Sequence, residues 1–247
     1  ELNAYCFFSP SEEEQRRIGL FLLNLDTLIT LHQRKYDKLV CIKKAMLDKM
    51  FPKNGSCFPE IRFAGFTEAW ERRLIGKMTN VMSASRVHKE EWVTEGVPFF
   101  RSSDVVSAYM GKINEKVFIS FSLFEDLTQS SGKLEKDDIL ITGGGSIGIP
   151  FIVPDNKPLY SKDADLIWIK KSSAFYSCYL FVYFESQEFR NYIESISHVG
   201  TIAHYTIEQV KATPISVPTI QEQIRIGDFF RNLDRLITLQ QQSLDKL

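Results

Sequence analysis

Residues 11–39 read SEEEQRRIGLFLLNLDTLITLHQRKYDKL, and residues 219–247 read TIQEQIRIGDFFRNLDRLITLQQQSLDKL. Aligned without a gap, 17 of the 29 positions are identical. Chance does not produce that agreement, and the 208-residue spacing is far longer than a solenoid period. Two equivalent elements therefore bracket one different segment. Each copy carries helix signals. Ser11 with Glu14, and Thr219 with Glu222, fit the S/T-x-x-E capping box, which satisfies orphan N–H groups at a helix start. Apolar residues then recur at alternating spacings of three and four. In the first copy they include Ile18, Leu22, Leu25, Ile29, Tyr36, Leu39, Met46 and Met50; in the second, Ile226, Phe230, Leu233, Ile237, Leu244 and Leu247. That narrow seam is the pattern of a coiled coil. Pro52 and Asn54-Gly55 stop the first helix, so roughly 40 residues at 1.5 Å each predict a rod of about 60 Å. His32 and Gln240 hold matching seam positions and read as polar residues that set register. Two copies of one amphipathic helix can pair antiparallel about a pseudo-twofold axis.

Composition narrows the class. The chain of 247 residues is 44% apolar and 25% charged, ordinary for a globular protein. No apolar run approaches the roughly 20 residues that cross a bilayer, so no membrane partner is expected. The N-terminal stretch ELNAYCFFSPSEEE lacks the basic start and apolar core of a signal peptide. Cys6, Cys41, Cys57 and Cys178 are scattered, with no C-x-x-C. They read as thiols in a reducing cytoplasm, and no metal site is expected. Net charge is -1, so no global basic signal marks a nucleic-acid binder. Positive excess is local: residues 31–67 hold eight Lys/Arg against three Asp/Glu.

Between the repeats, residues 51–67 read as an irregular linker with two prolines and two glycines. Short β-like runs follow: VPFFRSSDVV, KVFISF, DILIT, IPFIVP and DLIWIKK. Residues 175–197 read as an apolar helix followed by an amphipathic one. Thr206, with Gln209 three residues on, opens a further short helix. The expected fold class is α+β: one mixed α/β domain flanked by two long helices pairing as an antiparallel coiled coil. Its parts are 1–10, the end of a preceding segment; 11–50, a long spacer helix; 51–67, a linker; 68–218, the inserted domain; and 219–247, the second repeat helix.

One stretch invites an enzyme reading. Residues 143–148, GGGSIG, satisfy G-x-G-x-x-G directly after the strand-like DILIT. A dinucleotide loop needs a helix next, because the helix N-terminus and the glycine N–H groups hold the pyrophosphate. Here Ile149-Pro150 follows, and a proline pushes its predecessor toward extended geometry. The glycines read as a tight strand–turn–strand connection. There is no G-x-x-x-x-G-K-[ST], H-E-x-x-H, G-x-S-x-G or N-P-P-Y, and no catalytic constellation is visible.

The repeated P-x-x-x-E-Q helix, with its I-G-x-F-x-x-N-L-D-x-L-I-T-L continuation, resembles the repeated regions of type I restriction–modification specificity (S) subunits. So does KKAMLDKMFPKNG…PEIRFAGFTEAWERRLIGKM. In that family E-Q-x-x-I closes one target-recognition domain and opens a helical spacer. The segment bearing Pro59, Arg62, Phe63, Gly65, Phe66 and Trp70 opens the next. The order here resembles the second half of a full S subunit, strongest at 12–76 and 214–247. The resemblance implies a non-catalytic cytoplasmic subunit whose recognition domain, residues 68–218, reads one half of a bipartite target in double-stranded DNA. It implies helices that dock modification (methyltransferase) subunits, with a restriction subunit joining the complex. This chain would bind no cofactor; S-adenosylmethionine, ATP and Mg would belong to the partner subunits. Two alternatives stand beside it: a half-size S subunit acting as a homodimer on a symmetric target, and a coiled-coil protein adaptor without DNA binding.

Base edges are read by Arg, Lys, Asn, Gln, Ser and Thr, while phosphate contacts only position. Loops presented by the sheet are the expected places. The candidates are Arg101, Ser102 and Ser103 after VPFF; Thr142, Gly143, Gly144, Gly145 and Ser146, where glycine lets backbone approach DNA; Ser161 and Lys162 in a polar turn; and His198, Thr201, His204 and Tyr205 between two helices. Arg86, His88 and Lys89 form a weaker set. Each has a plainer reading: Arg101 pairs with Asp104, Lys162 with Asp163 or Asp165, and His198 caps its helix. The domain holds 16 Lys/Arg against 18 Asp/Glu over 69–218, so affinity from counterion release is expected to be modest.

Overall fold

The structure, a computed structural model, describes residues 8–53, 55–161, 165–196 and 204–246. The chain divides into two compact units, residues 1–44 with 232–247, and residues 45–231.

The first unit holds α1 (Glu12–Lys49) as far as residue 44 and α8 (Ile220–Leu244) from residue 232. His32 Nδ1 meets Gln240 Oε1 at 3.3 Å, and Lys43 Nζ meets Asp234 Oδ1 at 2.7 Å. The contacts rise along α1 as they fall along α8, so the helices run antiparallel. His32 and Gln240 are also equivalent positions of the repeat. Equivalent residues touch only where a twofold axis passes between them, so the pseudo-twofold axis runs through this pair. The matching seam residues nevertheless sit in unlike surroundings. No residue of α1 is buried, and Ile18 and Leu22 are 47% and 52% exposed. Their equivalents Ile226 and Phe230 are 1% and 0% exposed. These two do not extend a coiled-coil seam: they belong to the core of the second unit.

That second unit is α+β. A four-stranded antiparallel sheet has the order β2 (Val81–Met82), β9 (Leu166–Ile169), β6 (Ile139–Thr142), β7 (Pro150–Ile152). A second sheet orders β3 (Trp92–Val93), β5 (Val117–Ile119), β4 (Val97–Phe100) and β8 (Tyr160–Ser161), the last pair parallel. β1 (Glu71–Leu74) pairs with β10 (Pro214–Val217). All four residues of β6 and of β9 are buried, because the sheet is covered on both faces. By the two-residue period, Ile139, Ile141, Ile167 and Ile169 join the main core with Tyr179, Tyr183 and Phe189. Leu140, Leu166 and Trp168 pack with Val105 instead. The apolar and amphipathic helices are α5 (Ser177–Glu185) and α6 (Gln187–Ile196), and the short one is α7 (Ile207–Ala212), with a Thr206–Gln209 capping box.

Two stretches read as β-like are in part helical. After β4, α3 (Ser102–Tyr109) begins because the Asp104 carboxylate accepts the Arg101 N–H at 2.8 Å and Val105 is fully buried. After β5, Ser120 caps α4 (Phe121–Ser131), accepting from Leu123 N–H at 3.2 Å. A short four-residue helix, α2 (Ile75–Met78), follows β1.

The segment after α1 is firmly held. Phe51 is 2% exposed, stacks on Tyr179 at 5.8 Å and meets Trp70 edge-on at 6.1 Å. Arg62 makes a two-pronged ion pair with Glu222, Nε to Oε1 at 2.7 Å and Nη2 to Oε2 at 2.8 Å. The two side chains are 13% and 0% exposed. Thr219 still accepts the Glu222 N–H, at 3.4 Å, so the capping box is half made while Arg62 takes up the carboxylate. The next residue, Gln223, accepts the Tyr176 N–H at 2.9 Å and donates to Pro218 O at 3.0 Å. Phe63 packs edge-on against Phe229 at 5.9 Å. The Arg62-Phe63 motif and the Glu222-Gln223 motif are thus two halves of one joint.

Gly19 and Gly227 are equivalent in the repeat. A Cβ on Gly227 would stand 2.9 Å from Tyr176 Cε1 and Cys178 Cβ, whereas no described atom lies within 4 Å of one on Gly19. Gly227→Ala should lose about 1–3 kcal/mol to overpacking, while Gly19→Ala should gain up to about 1 kcal/mol of helix propensity. Urea unfolding of the two variants checks the contrast. Arg62→Met strands a fully buried carboxylate and should cost about 3–5 kcal/mol, with the double replacement Arg62→Met/Glu222→Met recovering much of it. A double-mutant cycle by chemical denaturation measures this.

Candidate nucleic-acid interface

The candidate loops leave the sheets at neighbouring strand ends. β4 and β8 run parallel with Phe100 opposite Ser161, so Arg101 follows a strand end that lies beside the end of β8. β6 ends opposite the start of β9, Thr142 against Leu166. Only residues 162–165 separate β8 from β9, which keeps both exits within a few residues' reach.

Residues 143–148 form the turn of the β6–β7 hairpin. Thr142 Oγ1 accepts the Ile149 N–H at 2.9 Å and donates to Ser146 O. Gly148 N–H reaches Thr142 O at 2.8 Å. Gly145 and Gly148 have φ of 62° and 79°, the left-handed region that favours glycine. Extended Pro150 begins β7 where a dinucleotide fold would begin a helix.

Most candidate side chains turn out to be spent on the scaffold. Arg101 does not face outward as a base reader. Its guanidinium bonds Asp104 (Nε to Oδ2, 2.9 Å; Nη2 to Oδ1, 3.3 Å), donates to Glu115 O at 2.7 Å and lies 5.6 Å over the Trp92 ring. Ser102 and Ser103 open α3, and Ser103 Oγ accepts from Asn114 at 3.2 Å. Thr142, Gly143 and Gly144 are buried; of that turn only Gly145 and Ser146 are exposed. The two buried glycines give room to protein, not to DNA. A Cβ on Gly143 would stand 2.5 Å from Tyr205 O, and one on Gly144 would overlap the Asp165 carboxylate. Ser161 is 6% exposed within β8. Tyr205 is 1% exposed, hydrogen-bonds the Thr213 hydroxyl and packs on Phe189 at 5.8 Å. Burial pushes its phenol well above the usual range. Lys162, His198 and Thr201 lie outside the described residues.

What comes together is a cleft. Gly143 N–H donates to Asp165 O at 2.6 Å, Tyr205 N–H donates to Gly143 O, and His204 Nδ1 meets Asp165 Oδ1 at 2.9 Å. A cavity of about 530 Å³ opens beside this knot. Ser83, Gly143, Asp165, His204, Thr206 and Glu208 are among its lining residues. Thr206 ends the candidate stretch that begins at His198, while Asp165, Ser83 and Glu208 escaped the sequence reading as site residues. The only sequence signal for Asp165 is an acid placed directly before a wholly apolar strand.

Residues 67–247 match the family model described as the type I restriction modification DNA specificity domain. The chain belongs to that family. Among curated relatives, it is 28% identical over 171 residues to a putative type I restriction enzyme specificity subunit of Haemophilus influenzae, covering 66% of this chain and 41% of the relative. It is 24% identical over 251 residues to the type I restriction enzyme MjaVIII specificity subunit of Methanocaldococcus jannaschii, covering 96% of this chain and 57% of the relative. The chain thus spans about half the length of the curated relatives it matches. Among solved structures, the HsdS subunit from Thermoanaerobacter tengcongensis superposes with a TM-score of 0.63 at 16% identity, over 95% of this chain and 54% of that one. The type I restriction-modification S subunit of M. genitalium does so at 0.51 and 15%, over 97% and 59%. At such identities the structures speak for the fold alone. The hairpin, the cleft and α8 all fall within the matched specificity domain. No helix among the described residues is long and apolar enough to cross a membrane.

The burial of Tyr205 gives a direct check. Tyr205→Phe should lower the unfolding free energy by about 1 kcal/mol, the worth of a buried hydrogen bond, and leave DNA affinity unchanged. Urea titration and fluorescence anisotropy with duplex DNA measure the two effects separately.

Proposed function

We propose that this chain is a DNA-recognition segment of a type I restriction–modification specificity subunit. Its domain of residues 68–218 reads one half of a bipartite target in double-stranded DNA. The chain performs no chemistry itself. Its helices dock modification subunits, which bind S-adenosylmethionine and methylate adenine, and a restriction subunit using ATP and Mg joins through the complex. The observation that carries this reading is the family match over 67–247, which includes the cleft where the 142–146, 165 and 204–206 segments meet. The near balance of 16 basic and 18 acidic residues over 69–218 supports modest affinity in isolation, with the modification subunits supplying further hold on the duplex.

The repeat supports a second recognition domain seated on α1. Ile18 and Leu22 are exposed where Ile226 and Phe230 are covered. The seat differs in chemistry, however. Asp228 accepts the Tyr176 hydroxyl at 2.9 Å, and Arg231 pairs with Asp228 at 2.9 Å. Their equivalents on α1 are Leu20 and Leu23. An identical domain docked there would set the Tyr176 hydroxyl against leucine, so a domain seated on α1 is expected to differ in sequence from this one.

Co-expression with a type I modification subunit and mapping of N6-methyladenine across host DNA tests the proposal. Methylation at a motif with two short specified blocks and a fixed gap is expected. A stable complex that leaves the host DNA without new methylation would overturn it. Palindromic blocks would favour the homodimer, and unlike blocks a second, different domain.

A further inference from the structure

The cleft contains a carboxylate that the recognition reading has not used. Asp165 lies between the β6–β7 turn and His204, its side chain 31% exposed. Oδ1 meets the His204 ring nitrogen at 2.9 Å, and among the described residues Oδ2 has no hydrogen-bond donor. The fold goes to some length to hold this group. Its carbonyl oxygen receives the Gly143 N–H, and Gly144 lacks the Cβ that would collide with the carboxylate. On a surface that meets DNA, a fixed anion is repelled by every phosphate, so it contributes nothing to sequence-independent binding. The favourable partner DNA offers it is an amino group on a base edge. In the major groove adenine presents N6–H₂ and cytosine N4–H₂, whereas guanine and thymine turn the acceptor oxygens O6 and O4 toward the same place.

Resting on the proposed DNA-recognition function, we infer that Asp165 meets a base edge in the major groove and is a specificity-determining residue. It admits adenine or cytosine at one position of the target and rejects guanine or thymine, with His204 as its positioning residue. Rejection is the larger part of the effect. A carboxylate facing a carbonyl oxygen leaves two acceptors together without a proton, both stripped of water. Ser83 and Thr206, which also line the cavity, carry hydroxyls that both donate and accept, so they do not impose the same exclusion.

The test uses the full chain in complex with a type I modification subunit and a pool of randomised duplex DNA, with the bound fraction sequenced for the wild type and for Asp165→Asn. The amide has nearly the same shape but can turn either a donor or an acceptor to the base. The wild-type motif should contain a position restricted to adenine or cytosine. Asp165→Asn should relax that position toward guanine and thymine by about ten-fold or more, leaving the others unchanged. His204→Gln should weaken the same position and no other. An identical motif for the wild type and Asp165→Asn would overturn this inference and leave DNA recognition standing. A uniform loss of binding, or a lowered melting temperature for Asp165→Asn, would assign Asp165 a structural role and also overturn it. Absence of any enriched motif for the wild type would overturn the recognition function itself, and this inference with it.

Discussion

The paired bonds between Arg62 and Glu222 join parts of the chain 160 residues apart, and the second unit is closed around them. A fully buried carboxylate is tolerable only when its charge is matched and its lone pairs are filled, and the fork of the guanidinium does both. One residue further on, Gln223 fastens the start of α5 and the end of the strand that precedes α8. Two adjacent side chains at a helix start thereby hold the segment after α1, the apolar helix α5 and the β1–β10 ribbon in one core. In the first copy the local half of this device is already present: Gln15 donates to Pro10 O at 2.8 Å, as Gln223 does to Pro218 O. The long-range half is not, since Glu14 is exposed.

The same economy shapes the cleft. Loops rich in hydroxyls, glycine and a lone arginine look like recognition surfaces, but a turn must first satisfy its own backbone. Thr142, Gly143, Gly144 and Arg101 are consumed in that task. Asp165 and His204 remain, paired with each other beside a hairpin whose β6 strand is wholly buried.

Helix starts, the turn at residues 143–148, the two long helices and the α+β class were legible in the sequence, because each rests on contacts between near neighbours. Ser11 and Thr219 cap, Pro150 enforces extended backbone, and seam periodicity repeats within a few residues. The helices α3 and α4 were not legible. Their short apolar runs fit strands equally well, and burial of Val105 and Phe124 against distant residues decided between the two. At the candidate site, the Arg101–Asp104 pairing was already the plainer reading of the sequence, while the contact of Arg101 with Glu115 and the burial of Tyr205 against Thr213 and Phe189 were not legible, since only the fold brings those residues together.

The sequence by itself determined that two equivalent helices flank one mixed domain, and that GGGSIG is a turn between strands. Those are short-range consequences of capping, proline geometry and periodicity. Only the tertiary structure decided that identical helices lie in unlike surroundings, with Gly227 packed under Tyr176 and Gly19 open, and that Asp165 stands in the cleft while Tyr205 is buried. Burial and charge pairing depend on which distant side chains arrive at a point in space, and local chemistry carries no record of that arrival.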